Sequence, residues 1–144
     1  MEIRRMLIED YGAVYALWSG CPGVGLNSID DSPEGFERYL RRNPDTCFLA
    51  EEDGRVIGTI LACDDGRRGH INHLAVAEDR RRRGVARKLA ETALAVLKSL
   101  GVSKVNLVAF GTNEGGNAFW EKMGFRTRPD LVYRDIVLLE PEKK

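Results

Sequence analysis

The 144-residue sequence has few cysteines, no signal peptide and no long hydrophobic run. It contains Cys21, Cys47 and Cys63, and no two of them have CxxC spacing. An odd count without this spacing argues against a disulfide framework and against a zinc site, so no metal is expected and a reducing compartment fits. No stretch of about 18 apolar residues could span a membrane, and the charged N-terminus lacks an apolar targeting segment. These absences predict a cytoplasmic protein.

The sequence also lacks an excess of charge of either sign. Lys plus Arg and Asp plus Glu number 22 each, which gives a formal net charge of zero at pH 7. This balance argues against a protein that binds nucleic acid or membrane surfaces with its whole surface, so any electrostatic function must be local. The chain is 43% hydrophobic and close to the commonest domain size. We therefore expect one folded domain over residues 1–144.

Apolar periodicity and turn residues predict the element order βααβββαβαβ. A strand, a helix of about 16 residues and a further strand form a crossover unit, so the fourth and fifth strands should lie parallel. The other strands form an antiparallel meander. The predicted class is α+β in three layers, with helices on both faces of a mixed, mostly antiparallel sheet. The predicted strands cover residues 3–8, 46–51, 56–63, 70–77, 104–110 and 132–139, and the predicted helices start near Glu9, Pro33, Val85 and Gly115.

The most informative segment is the turn between the fourth predicted strand and the third predicted helix. Six of the nine residues from Arg80 to Lys88 are cationic and none is acidic. Backbone N–H groups at a helix N-terminus bind phosphate, and Gly84 and Ala86 allow a pyrophosphate to approach closely. Cations at this end oppose the helix dipole, at a cost of about 0.3 kcal/mol or more each. The pattern indicates an anion site, and a solvated basic face is the alternative.

These residues resemble a cofactor motif of a known superfamily. Arg81 to Ala86 is similar to the pyrophosphate-binding pattern of the GNAT superfamily of acetyl-CoA-dependent N-acetyltransferases: Gln or Arg, two residues, Gly, one residue, then Gly or Ala. Leu74 to Val76 resembles the strand that holds the pantetheine arm, and Asn113 to Phe125 resembles the second cofactor motif. The resemblance implies acetyl-CoA binding by Leu74, Ala75, Val76, Arg81, Arg82, Arg83, Gly84, Val85, Ala86, Arg87, Asn113, Phe119 and Trp120.

The resemblance also implies a mechanism. Acetyl-CoA would enter a V-shaped opening between the two parallel strands, and a neutral primary amine, of a small molecule or a protein, would attack the thioester directly in a ternary complex. Trp120 stands where the family often has a tyrosine as general acid, and indole cannot serve as an acid at neutral pH. The proton for the thiolate would then come from water or from another group, with Tyr133 on the last strand as the candidate.

The candidate bases lie on or near the fourth strand. His70 shares a face with Leu74 if the strand is regular, whereas His73 lies on the other face and is expected to make a structural hydrogen bond. The resemblance implies His70 as the first candidate base, because in some amine-acetylating members histidines near this point of the strand assist deprotonation. A carboxylate acting through water is the alternative. The carboxylates near the expected cleft are Glu51, Glu52, Asp64 and Asp65.

The acceptor pocket and the partners follow no motif. We expect the pocket to form from the Gly20–Asp31 loop, the two N-terminal helices and the last strand, with Asp30, Asp31 and Asp130 able to attract a cationic amine. An edge strand near the C-terminus could pair two subunits into a homodimer. Two other functions stay open: a non-catalytic acyl-CoA sensor, and a small nucleic-acid-binding protein that uses Arg80–Arg83, which the net charge disfavours.

Overall fold

The computed structural model describes residues 1–142, so the last two residues of the expected 1–144 domain lie outside the described part. Five strands form one sheet in sequence order, β1 to β5. Neighbouring strands are antiparallel except for β4 and β5, which are parallel as the crossover predicted. The strands are β1 (Glu2–Arg5), β2 (Phe48–Glu52), β3 (Arg55–Asp64), β4 (Gly69–Val76) and β5 (Val105–Leu107).

Four helices cover the two faces of the sheet and complete the α+β, three-layer arrangement that the sequence predicted. On one face, α1 and α2 bury Trp18 and Phe36 against β3 and β4. On the other face, α3 buries Leu89 and Leu97, and α4 packs its aromatic side chains beside them. The helices are α1 (Tyr11–Ser19), α2 (Pro33–Arg42), α3 (Val85–Ser99) and α4 (Glu114–Lys122).

Local sequence explains where several elements begin and end. The Ser32 side chain accepts a hydrogen bond from the Gly35 N–H and caps α2, and Pro33 occupies the first helical position, as expected. Asp53 and Gly54 both have positive φ in the tight turn that joins β2 to β3. Gly101 has a φ of 89° directly after the end of α3, which suits a glycine C-terminal cap.

The predicted strand over residues 132–139 does not form. Residues 131–142 contain no helix or strand, and the seven apolar side chains between Leu131 and Leu139 are 59% to 86% exposed. β-propensity indicates only that a segment fits a pleated surface, and it does not ensure that the segment pairs with the sheet. The predicted strand 104–110 is shorter than expected, because only Val105–Leu107 pair with β4.

A β-bulge interrupts β4 at Asn72 and His73. Ile60 of β3 pairs with Leu74 and Ala62 pairs with Ile71, so two residues of β4, Asn72 and His73, lie opposite one residue of β3, Leu61. The extra residue brings Ile71 and Leu74 onto the same face of the sheet, against α3. The expectation that His70 shares a face with Leu74 is therefore wrong, since it assumed a regular strand.

Candidate active site

The turn after β4 leads into α3 through an open helix N-terminus. Gly84 precedes the helix with a φ of 80°, and no side chain of the described residues caps it. A left-handed residue followed by a right-handed helical one aims successive N–H groups into a shared concavity that suits an anion. No atom lies within 4 Å of the position that a Cβ on Gly84 would take. A phosphate group therefore has both donors and room here.

The backbone of this turn is strained at one arginine. Arg82 has a φ of 64°, a left-handed conformation that costs a non-glycine residue about 1–2 kcal/mol. Arg81 before it is extended. Strained backbone of this kind clusters at binding sites, where surrounding structure holds it in place. The conformation of Arg82 thus agrees with a binding role for the turn.

The six cations of the turn fall into two groups. Arg80 pairs with Glu52 at 2.7 Å and Arg87 approaches Glu91 at 3.4 Å. The remaining cations, Arg81, Arg82, Arg83 and Lys88, are exposed and form no ion pair with the residues that the structure describes. Four positive side chains therefore surround the open helix start without a carboxylate partner.

The two parallel strands separate just before this turn. Their pairing ends at Ile71 and Leu107, while β4 continues to Val76. Within residues 1–142, no strand pairs with Leu74, Ala75 and Val76 on the side toward β5. Backbone groups along this edge are therefore free to bind an extended ligand arm, in the region where the sequence predicted an opening.

The second predicted cofactor motif forms the start and the body of α4. The Asn113 side chain accepts a hydrogen bond from the Gly116 N–H at 3.0 Å, so its oxygen caps the helix. Trp120 packs edge-to-face against Phe119 and Phe125, with ring centroids 4.9 and 5.0 Å apart. The aromatic side chains thus support the fold beside β4, and Phe119 and Trp120 are half-buried there.

A cavity of about 820 Å³ lies on the face of the sheet that α1 and α2 cover, opposite α3 and α4. It is lined by α2, the Gly20–Asp31 loop, the β3–β4 turn and β4, with Trp18 from α1. The loop and both helices were expected here, whereas none of the residues 131–142 lines the cavity, contrary to the expectation for the last strand. The titratable β4 side chains in the lining are His70 and His73.

His70 lines the cavity and contacts β5. Its Nδ1 lies 2.5 Å from Asn106 Oδ1, and an amide oxygen can only accept, so Nδ1 carries the proton and Nε2 is the acceptor nitrogen. Asn72, beside it, donates through Nδ2 to the Tyr39 hydroxyl at 2.7 Å. Burial raises the pKa of Tyr39, so its phenol stays protonated in the cavity wall. The sequence pattern indicated no functional role for Tyr39.

His73 also lines the cavity, because the bulge turns it toward α1. Its Nε2 lies 2.9 Å from Asp31 Oδ1, and its ring meets Trp18 edge-to-face at 4.8 Å between centroids. Asp31 is only 5% exposed, and its other oxygen accepts from the Asn27 N–H at 2.9 Å. The expectation that His73 makes a hydrogen bond is met. Its partner, 42 positions away along the chain, and its place in the cavity were not predicted.

The remaining carboxylate candidates separate by location. Glu51 and Glu52 bind Arg4 and Arg80 and do not line the cavity. Asp130 is held by Arg128, which lowers the pKa of this carboxyl to about 2. The cavity carboxylates are Asp30, Asp31, Asp64 and Asp65, and hydrogen bonds from the backbone N–H groups of Arg68 and Arg67 lower the pKa of Asp65.

Tyr133 lies outside both sites. It belongs to the irregular segment rather than to a strand, it is 70% exposed, and it does not line the cavity. The prediction that Tyr133 lies on a last strand is therefore wrong.

The Gly20–Asp31 loop joins the two sites. A Cβ on Gly23 would lie 3.0 Å from Asn113 Nδ2, and one on Gly25 would lie 3.3 Å from the Phe110 ring. The same loop supplies Asp30 and Asp31 to the cavity. It therefore spans from the acceptor-side cavity to the start of α4.

No helix among residues 1–142 has the length and apolar character that a membrane span needs.

Comparison with known proteins identifies the class. A protein-family model described as "Acetyltransferase (GNAT) family" matches residues 11–125 of this chain. An acetyltransferase of Sodalis glossinidius is 32% identical over 143 residues, which cover 99% of both chains. The chain therefore belongs to the acetyltransferase (GNAT) family.

Solved structures share the fold. Ard1 from Thermoplasma volcanium is 23% identical with a TM-score of 0.73, covering 87% of this chain and 82% of that one. The PaiA N-acetyltransferase from Thermoplasma acidophilum, solved in complex with coenzyme A, is 18% identical with a TM-score of 0.75, covering 88% and 90%. This chain, with its mixed five-stranded sheet and four helices, thus shares the fold of these two proteins.

Proposed function

We propose that this protein transfers the acetyl group of acetyl-CoA to a primary amine, by direct attack in a ternary complex. The observation that carries the proposal is the open N-terminus of α3, with uncapped N–H groups, space above Gly84 and exposed cations, directly after the free edge of β4. A donor bound along this edge and an amine in the 820 Å³ cavity would approach the strand from opposite sides. Such an arrangement positions the two substrates for direct reaction.

The donor side would use backbone more than side chains. The N–H groups of Val85, Ala86 and Arg87 would bind the pyrophosphate, with Arg81, Arg82 and Arg83 neutralising its charge. Leu74, Ala75 and Val76 would hold the pantetheine arm through their free edge. Acetyl-CoA supplies the activated acyl carbon and the thiolate leaving group. Asn113, Phe119 and Trp120 would contribute by shaping the wall beside the arm, since their polar and aromatic groups already cap and pack α4.

On the acceptor side, the chain must remove a proton from the incoming ammonium group. His70 was the base expected from the sequence, and its Nε2 is the acceptor nitrogen in the cavity. The amine would be that of a small molecule or of a protein. Tyr133 has no contact that supports its role as proton donor, so we propose that water protonates the thiolate.

A non-catalytic acyl-CoA sensor is the second candidate. Two observations favour it: a half-buried Trp120 packs against the core where the family often has an acid, and Tyr133 is exposed on an irregular segment. A sensor would bind acetyl-CoA and transfer nothing.

We also propose that residues 1–144 form one cytoplasmic acetyltransferase domain that pairs into a homodimer. All three cysteines are free thiols, which agrees with a reducing compartment. The segment Leu131–Leu139 carries seven exposed apolar side chains, and exposed apolar patches mark interfaces.

Calorimetry with acetyl-CoA, followed by a panel of amines, tests the activity. We expect saturable binding and acetylation of at least one amine, with CoA release and the product quantified by mass spectrometry. The panel should pair small amines with peptides that differ only in a free or blocked N-terminus. Binding without transfer to any amine would favour the sensor, and no binding at millimolar acetyl-CoA would contradict both functions.

A further inference from the structure

The cavity contains a half-buried histidine paired with a buried carboxylate, and the expected mechanism does not use this pair. Asp31 is 5% exposed and His73 lies 2.9 Å from it. A carboxylate accepts and does not donate when ionised, so His73 Nε2 carries the proton of this hydrogen bond. The second ring nitrogen, Nδ1, is then the acceptor of a neutral imidazole.

His73 Nδ1 is accessible. It makes no hydrogen bond with any residue from 1 to 142. Among these residues, every buried side-chain nitrogen or oxygen outside the exposed residues has a hydrogen-bond partner, so an atom without a partner, such as His73 Nδ1, is not buried. His73 Nδ1 therefore keeps exposed surface, and His73 lines the cavity. A lone pair without a partner is thus available where an acceptor amine would bind.

The ring is also held rigidly. Trp18 meets it edge-to-face, is 1% exposed, and donates its indole N–H to Thr59 Oγ1 at 2.9 Å. Asp31 is fixed in turn by the Asn27 N–H. Two constrained neighbours therefore fix both the plane of the imidazole and its tautomer, as a positioned base requires.

A comparison of the two histidines favours His73. The partner of His70 is the neutral amide of Asn106, whereas the partner of His73 is a carboxylate. When an imidazole takes a proton, a hydrogen-bonded carboxylate stabilises the resulting imidazolium more than an amide does. Both rings line the same cavity, so the difference lies in the partner.

We propose that His73 is the proton acceptor for the ammonium form of the acceptor, with Asp31 as its positioning residue. This proposal rests on the proposed acetyl transfer. His73 Nδ1 takes one proton from R–NH3⁺ and later passes it to water. The freed amine forms the C–N bond as the C–S bond breaks, and the electron pair leaves with sulfur. The nitrogen passes its second proton to water, and water gives a proton to the thiolate. Atoms and charge balance without a further reactant.

The test compares His73→Gln, Asp31→Asn and His70→Gln with the wild type, using an amine found in the panel. Glutamine keeps an N–H donor for Asp31 but has no basic nitrogen, so a purely structural role of His73 predicts little loss. We expect His73→Gln to lower kcat by about 100-fold or more, with the Kd for acetyl-CoA unchanged. Asp31→Asn should lower kcat rather than raise KM. His70→Gln should lose less activity than His73→Gln.

Chemical rescue provides the second measurement, and it also covers the case in which the glutamine variant does not fold. Imidazole added to His73→Ala should restore the rate in proportion to its concentration, and it should not accelerate the wild type. A His73→Gln enzyme within about twofold of wild-type kcat, or a His73→Ala enzyme that folds and shows no rescue, would overturn the assignment while leaving acetyl transfer standing. A wild type that binds acetyl-CoA and acetylates no amine would instead overturn the proposed function, and this assignment with it.

Discussion

Gly58 of β3 lies directly against Val85, the first residue of α3. A Cβ on Gly58 would come within 2.8 Å of Val85 Cγ1 and 2.9 Å of Leu89 Cδ1. The absence of a side chain at Gly58 therefore allows the start of α3 to rest on the sheet, and it couples the packing of β3 to the position of the proposed phosphate site.

Gly58→Ala should destabilise the protein and weaken acetyl-CoA binding together. Overpacking of a core costs about 1–3 kcal/mol, and here it pushes the first turn of α3 away from the sheet. Thermal unfolding and calorimetry measure the two effects. Gly12→Ala is the matched control, because no atom lies within 4 Å of its Cβ position in α1 and alanine favours a helix by up to about 1 kcal/mol. Equal stability of Gly58→Ala and wild type would contradict the packing argument.

Gly84→Glu should abolish acetyl-CoA binding. The added side chain fills the space above the helix start, and its negative charge repels a phosphate. Gly101→Glu, at the other end of α3, is the control: it adds the same charge at a glycine with a φ of 89° and no atom within 4 Å of the Cβ position. Both variants carry the same backbone strain. If calorimetry finds the same affinity for both, the phosphate does not bind at Gly84.

Asp10 should make stability fall in acid. Its carboxylate accepts bonds from Arg4 at 2.8 and 2.9 Å and from the Leu7 N–H at 2.7 Å, and the Arg4 bonds are the main cause of its lowered pKa. Because the pKa is lower in the folded state, the stabilisation is complete above the ordinary aspartate value of about 3.9 and is lost as the pH falls through the folded value.

The Asp10→Asn variant measures this contribution. It should unfold with a free energy about 1 kcal/mol lower than the wild type at pH 7, and the difference should shrink as the pH falls below the ordinary aspartate value of about 3.9. Asp45→Asn is the comparison, since the Arg5–Asp45 pair is more than half exposed and should contribute little. Urea titrations at several pH values give the difference, and a constant gap down to pH 2 would contradict it.

The apolar segment at residues 131–139 should mediate self-association. We expect the wild type to elute as a dimer in size-exclusion chromatography with light scattering, and Ile136→Glu with Leu138→Glu to shift it to a monomer. Both side chains are more than 80% exposed. Leu100→Glu adds charge at a 54% exposed apolar residue elsewhere and should leave the dimer intact. A monomeric wild type at high micromolar concentration would contradict the interface.

Local patterns predicted most of the fold. The periodic apolar residues from Val85 to Ser99 and the cap at Ser32 define helices without reference to distant parts of the chain. The prediction of a strand over 132–139 was wrong because β-propensity does not show whether a segment pairs with the sheet. On the donor side, the motif at Arg81–Ala86 marks the open helix start correctly.

The acceptor side could be predicted only in outline. The loop and the two helices were expected to form it, but the pairing of Asp31 with His73 needs a fold that brings distant residues together. The bulge at Asn72 and His73 has no signature such as glycine or proline, so simple alternation assigned the two histidines to opposite faces. Both line the same cavity.

The single extra residue in β4 puts the two halves of one strand out of phase. If the same residues paired as a regular strand, every residue on one side of Asn72 would reverse its face, so that one histidine would leave the cavity and either Ile71 or Leu74 would leave the core. The bulge is therefore as much a determinant of the proposed acceptor site as the identity of any side chain in it.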